Sequence, residues 1–401
     1  MEFRALFIII YSSGFLSTFK TQEVKTPNVT DLAFKNIDFA MNLYRKISSY
    51  HDRNVFLSPL SISTSFATLL LAAQGSTRAQ IVKGLNLESL DDSRDVQVIP
   101  RLFEQLQKNL SLDRTLQMEQ STALFIDEQF QVETLFSDQI KKFFGAEVNN
   151  VDFGKTETSR QFINEYVSKK TGHKVNEMVK SIKPLTQMML INTIFYQGGW
   201  EHPFDPNNTK TSRFFIDKYN IVQVAKMLKE DKFYTTEDSE IRARVLRLSY
   251  RDGVAMLILL PDENVDYTII DDEINAQRFF KWIKNMRKIK LEVHLPKFKM
   301  EQSYVLHDIL PHLGIKSVFE DSADLTGLSK DAGLKVSQVL HKAVIEVDEK
   351  GTTAAAATSM GITAYSLPAT FIVDRPFFFF LYHEATHSLM FMGRVIDPTQ
   401  N

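Results

Sequence analysis

The sequence predicts one α+β domain. Three observations carry this. Amphipathic helical patterns crowd the first half of the chain, and strand patterns dominate after about residue 188. No Pro/Gly/Ser-rich linker divides the two halves, and no internal repeat is visible. At 401 residues, with 44% hydrophobic and 24% charged residues, the chain can build a large core of ordinary composition.

The elements follow in order. Ala5–Ile10 is a short apolar run followed by small residues, which reads as a secretory signal peptide over about 1–20, too short to span a membrane. The folded domain is expected over 25–401. Residues 30–49 carry apolar side chains at helical spacing, with Thr30 or Asp31 as the cap. Ser58-Pro59 opens a second helix, and Gly75 is expected to end it. Further amphipathic helices are expected over 100–110 and 158–170, and a basic one over 281–290 (KWIKNMRKIK). Strands are expected over 115–126 and then at MMLINTIFYQGGW, ARVLRLSY, VAMLILLP, KLEVHLPKF, KAVIEVD, FFFFLY and LMFMGRVI.

The composition excludes several chemistries. Without cysteine there is no disulfide, no thiolate zinc site and no cysteine nucleophile. A net charge of −2 gives no global attraction to nucleic acid. There is no G-x-S-x-G and no P-loop. His383-Glu384-Ala385-Thr386-His387 matches H-E-x-x-H, which binds zinc only from one face of a helix. Strand-like runs flank it closely, so a hairpin turn is expected and no metal or catalytic site is assigned. The basic 281–290 region reads as a solvated face. The sequons at Asn28, Asn109 and Asn207 fit a secreted glycoprotein.

The segment Gly351–Val373 stands out. It is uncharged, with four consecutive alanines, seven Ser/Thr residues and two glycines, set between strongly specified strands. Such a composition does not hold a stable helix. It suggests a conformational device rather than a scaffold.

Four blocks resemble the serpin family in order and spacing: NVFLSPLSIS (54–63), LINTIFYQGGW (190–200), HKAVIEVDEKGTTAAAAT (341–358) and DRPFFFFLYHEATHSLMFMGRVIDP (374–398). The resemblance implies a large mixed main sheet plus two smaller sheets, eight or nine helices, and an exposed reactive loop over about 349–370. It implies a secreted, monomeric inhibitor of serine proteases, itself not an enzyme, that acts as a suicide substrate. The loop is cut, the protease is held as an acyl-enzyme, and the loop enters the main sheet as a new strand. Family spacing from Glu349 places the cut bond at Tyr365–Ser366. The hinge is Glu349 and Gly351, with Thr352, Ala354, Ala356 and Thr358 facing inward on insertion. These last four are small and uncharged, as an inserting strand that buries alternate residues requires. About twelve inserted residues at ~3.3 Å each would carry a protease roughly 40 Å.

The resemblance also implies a polar shutter at Ser58, Ser61, Asn192 and His341. It implies a breach, where the sheet opens first, at Trp200, Lys297 and Glu349. The string ITAYSLP and the blocks RKISSYHD and DKYNIVQV are similar to a coagulation-directed branch of the family. That implies factor Xa and factor XIa as targets. It also implies protein Z as a protein cofactor docked at Tyr219, Asp272 and Asp52, acting with calcium and phospholipid so that membrane association is indirect. No chemical cofactor is implied. Heparin would meet only Arg101, Lys108 and Arg114, interrupted by Glu104 and Asp113. Two alternatives stay open: a chymotrypsin-like protease inhibitor without protein Z dependence, suggested by Tyr365 itself, and a non-inhibitory carrier.

Overall fold

The computed structural model describes residues 26–400, apart from 93, 112–117, 252 and 351–367. Among the described residues there are eight α-helices: α1 (Val29–Ser48), α2 (Pro59–Leu69), α3 (Gly75–Gly84), α4 (Val98–Ser111), α5 (Thr134–Phe144), α6 (Thr156–Lys170), α7 (Tyr267–Glu273) and α8 (Ala276–Asn285). The strands are β1 (Val55–Leu57), β2 (Met118–Asp127), β3 (Glu147–Val151), β4 (Met188–Tyr196), β5 (Lys210–Phe215), β6 (Ile221–Asp238), β7 (Ala243–Ser249), β8 (Val254–Pro261), β9 (Arg287–Pro296), β10 (Phe298–Val305), β11 (Gln338–Val347), β12 (Ala369–Ile372), β13 (Phe377–His383) and β14 (Ser388–Val395).

The main sheet is mixed and has the order β10-β11-β4-β2-β3. Its centre is the parallel pair β11–β4, in unbroken register from Gln338↔Met189 to Ile345↔Tyr196. The two smaller sheets run together as one hydrogen-bonded network, β1-β14-β13-β8-β7-β6-β9-β12, with β5 on β6. The 18-residue β6 joins them: its first part pairs with β5 and its last part with β7.

The sequence explains the layering. All nine residues of β4 are buried. Met188, Leu190, Ile194 and Tyr196 enter the main core, whereas Met189, Ile191 and Phe195 enter a second cluster with Ile163 and Val167 of α6. A strand covered on both faces reads as a continuous apolar run. The main sheet packs on the larger network through aromatic contacts: Phe298 on Phe377 and Phe379 at 5.7 and 5.4 Å, and Tyr196 on Phe391 at 5.8 Å. Gly393 permits this closeness, because a Cβ there would lie 2.3 Å from the Val55 carbonyl and 3.0 Å from the Phe379 ring.

Three local expectations are corrected. The cap of α1 is Asn28, whose Oδ1 accepts from the Thr30 and Asp31 amides, with Asp31 returning a bond to the Asn28 amide. Gly75 opens α3 rather than ending α2, which stops at Leu69; its φ of +51° turns the chain. The basic helix ends at Asn285, and Arg287–Lys290 belongs to β9, where the alternation of its apolar residues becomes strand-like.

Candidate functional site

The segment expected to be reactive follows β11 in sequence, so the candidate site is built around the β4–β11 seam. At its upper end Glu349 is buried. Its Oε2 meets Lys297 Nζ at 2.8 Å, and its Oε1 accepts from Thr209 Oγ1 at 2.7 Å. Burial alone would raise the Glu349 carboxyl; Lys297 and Thr209 outweigh it and hold the group below the usual glutamate range. The Glu349 carbonyl accepts from the Phe204 amide at 3.0 Å. Trp200 is buried, stacks on Tyr250 at 4.2 Å, and donates Nε1–H to the Asp348 carbonyl at 2.8 Å. Trp200, Lys297 and Glu349 are therefore joined in one neighbourhood, fastening the chain just beyond β11.

Lower in the seam, Ser58, Ser61, Asn192 and His341 are all fully buried and share one hydrogen-bonded network. His341 and Asn192 are direct partners across β11 and β4. His341 Nδ1 lies 2.7 Å from Asn192 Oδ1, and the Ser58 amide donates to His341 Nε2 at 3.2 Å. Ser61 Oγ donates to Asn192 Oδ1 at 2.9 Å, Asn192 Nδ2 donates to Thr122 Oγ1 at 3.1 Å, and Ser58 Oγ donates to the Met390 carbonyl at 2.7 Å. The network ties α2, β2, β4, β11 and β14 across the seam. Burial drives the His341 pKa down to about 3, so the ring is neutral at physiological pH.

Gly351, Thr352, Ala354, Ala356, Thr358, Tyr365 and Ser366 lie outside the described residues, as do the leader expected over 1–20 and Arg114. The chain resumes in β12, which pairs in parallel with β9. Tyr219 is 81% exposed on the β5–β6 turn. Asp52 and Asp272 are exposed and share a neighbourhood: the Arg394 guanidinium joins the Asp271 carboxylate to the His51 carbonyl, one residue before each. Lys108 pairs with Glu104 at 2.6 Å and Arg101 with Asp95, so both described cations of the heparin expectation face carboxylates. Asn207 is exposed, Asn28 is the half-buried cap of α1, and Asn109 is half-buried in the last turn of α4. His383–His387 forms the β13–β14 turn; His383 Nδ1 contacts Thr386 Oγ1 at 3.0 Å and Glu384 pairs with Arg247 at 2.9 Å. No metal-holding group of three His, Cys, Asp or Glu occurs among the described residues.

Sequence reasoning missed Thr209, Thr122 and Tyr250. Thr209 is 140 residues from Glu349 and Thr122 is 70 from Asn192. Only the local oddity of a threonine in an apolar strand marked Thr122, and nothing local marked Thr209 beyond its sequon.

Comparisons with known proteins agree with this arrangement. The family profile "Serpin (serine protease inhibitor)" matches residues 34–398. Protein Z-dependent protease inhibitors of Mus musculus and Homo sapiens are each 37% identical over 92% of this chain, covering 82% and 83% of those proteins. The crystal structure of the mouse protein superposes with a TM-score of 0.87 at 35% identity, covering 92% of this chain and 98% of that one. Human thyroxine-binding globulin superposes at 0.86 with 32% identity, covering 92% and 99%. With its seam geometry and a profile match over nearly its whole length, the chain belongs to the serpin family of protease inhibitors.

Proposed function

We propose that this protein is a secreted suicide-substrate inhibitor of serine proteases, cut at Tyr365–Ser366, that acts on coagulation factor Xa with protein Z as docking cofactor, and on factor XIa. The observation that carries the reading is the closed β4–β11 seam. It is stitched by His341–Asn192 and topped by Glu349, and an uncharged segment follows it in sequence. That combination supports a strand entering between β4 and β11 after cleavage. The protease serine attacks the Tyr365 carbonyl and forms an acyl ester with release of the Ser366 amine. Hydrolysis of that ester needs an intact triad and oxyanion hole, and insertion drags the protease away before it is complete.

Tyr365 suits an apolar specificity pocket better than an Arg-preferring one. Docking resolves this by raising effective concentration, and exposed Tyr219, Asp272 and Asp52 are the proposed contacts. The likeness to thyroxine-binding globulin favours a second, carrier reading, but small, uncharged hinge residues argue for insertion. Glycans at Asn28, Asn109 and Asn207 belong to the same secreted reading; heparin has the weaker support of two paired cations.

The test is an SDS-stable complex with factor Xa, formed faster when protein Z, calcium and phospholipid are present. Tyr219→Ala with Asp272→Ala should abolish the acceleration and leave slow complex formation intact. Absence of any such complex with factor Xa, factor XIa or chymotrypsin would refute the inhibitor reading. Unchanged acceleration in the double variant would refute the docking surface alone.

A further inference from the structure

Beneath the proposed docking surface lies a buried guanidinium that holds the chain on both sides of Asp52 and one residue before Asp272. Arg394 of β14 and Asp271 of α7 are both buried, while Asp52 and Asp272 are exposed. Arg394 Nη1 donates to the Asp271 carboxylate and Nη2 to the His51 carbonyl, and Nε donates to the Arg53 carbonyl at 3.3 Å. The guanidinium carbon lies 5.5 Å from the ring centre of Tyr267, the first residue of α7. The other Asp271 oxygen accepts from the hydroxyl of Tyr44, a buried residue of α1, at 2.5 Å.

A peptide unit is planar, so holding its carbonyl holds the whole unit. The His51 carbonyl shares its plane with the Asp52 amide, and the Arg53 carbonyl fixes the chain one residue later. Asp52 therefore springs from a stretch held at both ends. Asn54, next along, is fixed independently: its Nδ2 donates to the Asp397 carbonyl at 2.8 Å and its Oδ1 accepts from the Ile396 amide at 2.7 Å. On the other side, Asp272 directly follows the residue that Arg394 pairs with, and Arg45 Nη1 approaches the Asp272 carbonyl at 3.4 Å. A buried charge needs its counter-ion, and Asp271 supplies that. The other two contacts go to the backbone of a surface turn. Because a guanidinium presents its donors in a rigid fork, its own dimensions set how far the 51–53 turn stands from α7, and with it the spacing of the two exposed carboxylates.

We infer that Arg394 is the positioning residue of the docking surface proposed above: it sets the spacing of Asp52 and Asp272 from beneath, so that both carboxylates meet cationic groups of protein Z without first having to be ordered. The inference rests on that docking reading.

The experiment measures protein Z affinity by direct binding, the protein Z concentration that half-accelerates factor Xa trapping, the trapping rate at saturating protein Z, and the melting temperature. Arg394→Lys keeps a cation for Asp271 but not the fork. It should weaken protein Z binding about tenfold, raise the half-accelerating concentration in step, and leave the rate at saturation at the wild-type value. Tyr44→Phe is the comparison. It takes a hydrogen bond from Asp271 and leaves all three Arg394 contacts, so it should lower the melting temperature and bind protein Z as wild type does. In an Asp52→Ala background the Arg394→Lys loss should shrink to about twofold, since the two changes act on one contact. If Arg394→Lys does not fold, Arg394→Gln with Asp271→Asn removes both buried charges together and carries the same readings. Wild-type affinity in the Arg394 variant, or an equal loss in Tyr44→Phe, overturns the positioning role, while a loss in Asp272→Ala still upholds the docking surface. Unchanged affinity in both Asp52→Ala and Asp272→Ala overturns the docking surface itself, and the role of Arg394 with it.

Discussion

His341 cannot hold a second proton where it sits. The Ser58 amide donates to Nε2, which fixes that nitrogen as the acceptor and places the ring proton on Nδ1, facing Asn192 Oδ1. Protonation would set a new N–H against the Ser58 N–H in a fully buried site, consistent with a pKa of about 3. Unfolded, the ring takes a proton near its ordinary value of 6.5. Between those values the unfolded chain binds more protons than the folded one, so stability is complete above pH 6.5 and falls as the pH drops toward 3. The slope from this one group is at most about 1.4 kcal/mol per pH unit. Any state with the seam open enough to wet His341 gains from acid in the same way. Urea midpoints measured at neutral pH and near pH 5 should therefore fall for the wild type and fall less for His341→Gln, which retains amide hydrogen bonding without titrating. Parallel pH profiles for the two would show that His341 does not govern acid lability in this window.

At the scale of elements, the seam is two parallel strands in unbroken register that, on the proposed function, part to admit a third. An entering strand buries alternate residues, and Ala356 is one of those assigned to the inner side. Ala356→Arg would place an unpaired charge in the sheet, which costs several kcal/mol. The protease should then complete hydrolysis before insertion does. The expected result on a denaturing gel is a shift from covalent complex to cleaved inhibitor, with cleavage at Tyr365 undiminished; an unchanged yield of complex would mean that Ala356 faces solvent on insertion. Elements of this kind were legible because burial on both faces writes itself into sequence. β4, β11, β13 and β14 are runs of apolar residues, and the shutter side chains are polar interruptions in such runs or at the Ser58-Pro59 helix start. β6 was not legible. It alternates exposed and half-buried residues over KEDKFYTTED and changes partners along its length, so neither a hydrophobic run nor a clean period of two survives. α3 was hidden because Gly75 looks like a stop signal and serves as a turn into the next helix. Thr209 and Thr122 were hidden for a different reason: their partners are 140 and 70 residues away, and each contact exists only in three dimensions.

For the molecule as a whole, the proposed function requires a chain held short of a better-bonded arrangement. Among the described residues the main sheet has five strands, with its parallel central pair closed by the shutter and breach contacts. A segment of suitable composition starts at its upper edge. Beyond that segment the chain is held by β12, which pairs in parallel with β9. On the proposed function, cutting Tyr365–Ser366 frees one end, and a strand antiparallel to both β4 and β11 then forms. If about ten net backbone hydrogen bonds are gained at about 1 kcal/mol each, the cut form is more stable by on the order of 10 kcal/mol. For a chain of this size each kcal/mol moves the melting temperature by about 2 °C or less, so a rise of roughly 10–20 °C is expected. Calorimetry of the intact protein, and of the same protein nicked in the loop by a non-target protease, measures it directly. A matching melting temperature for the two forms would mean that the seam does not open on cleavage, and it would favour the carrier reading. A large rise confined to the nicked form, abolished by Ala356→Arg, would tie the gain in stability to strand entry rather than to relief at the cut itself.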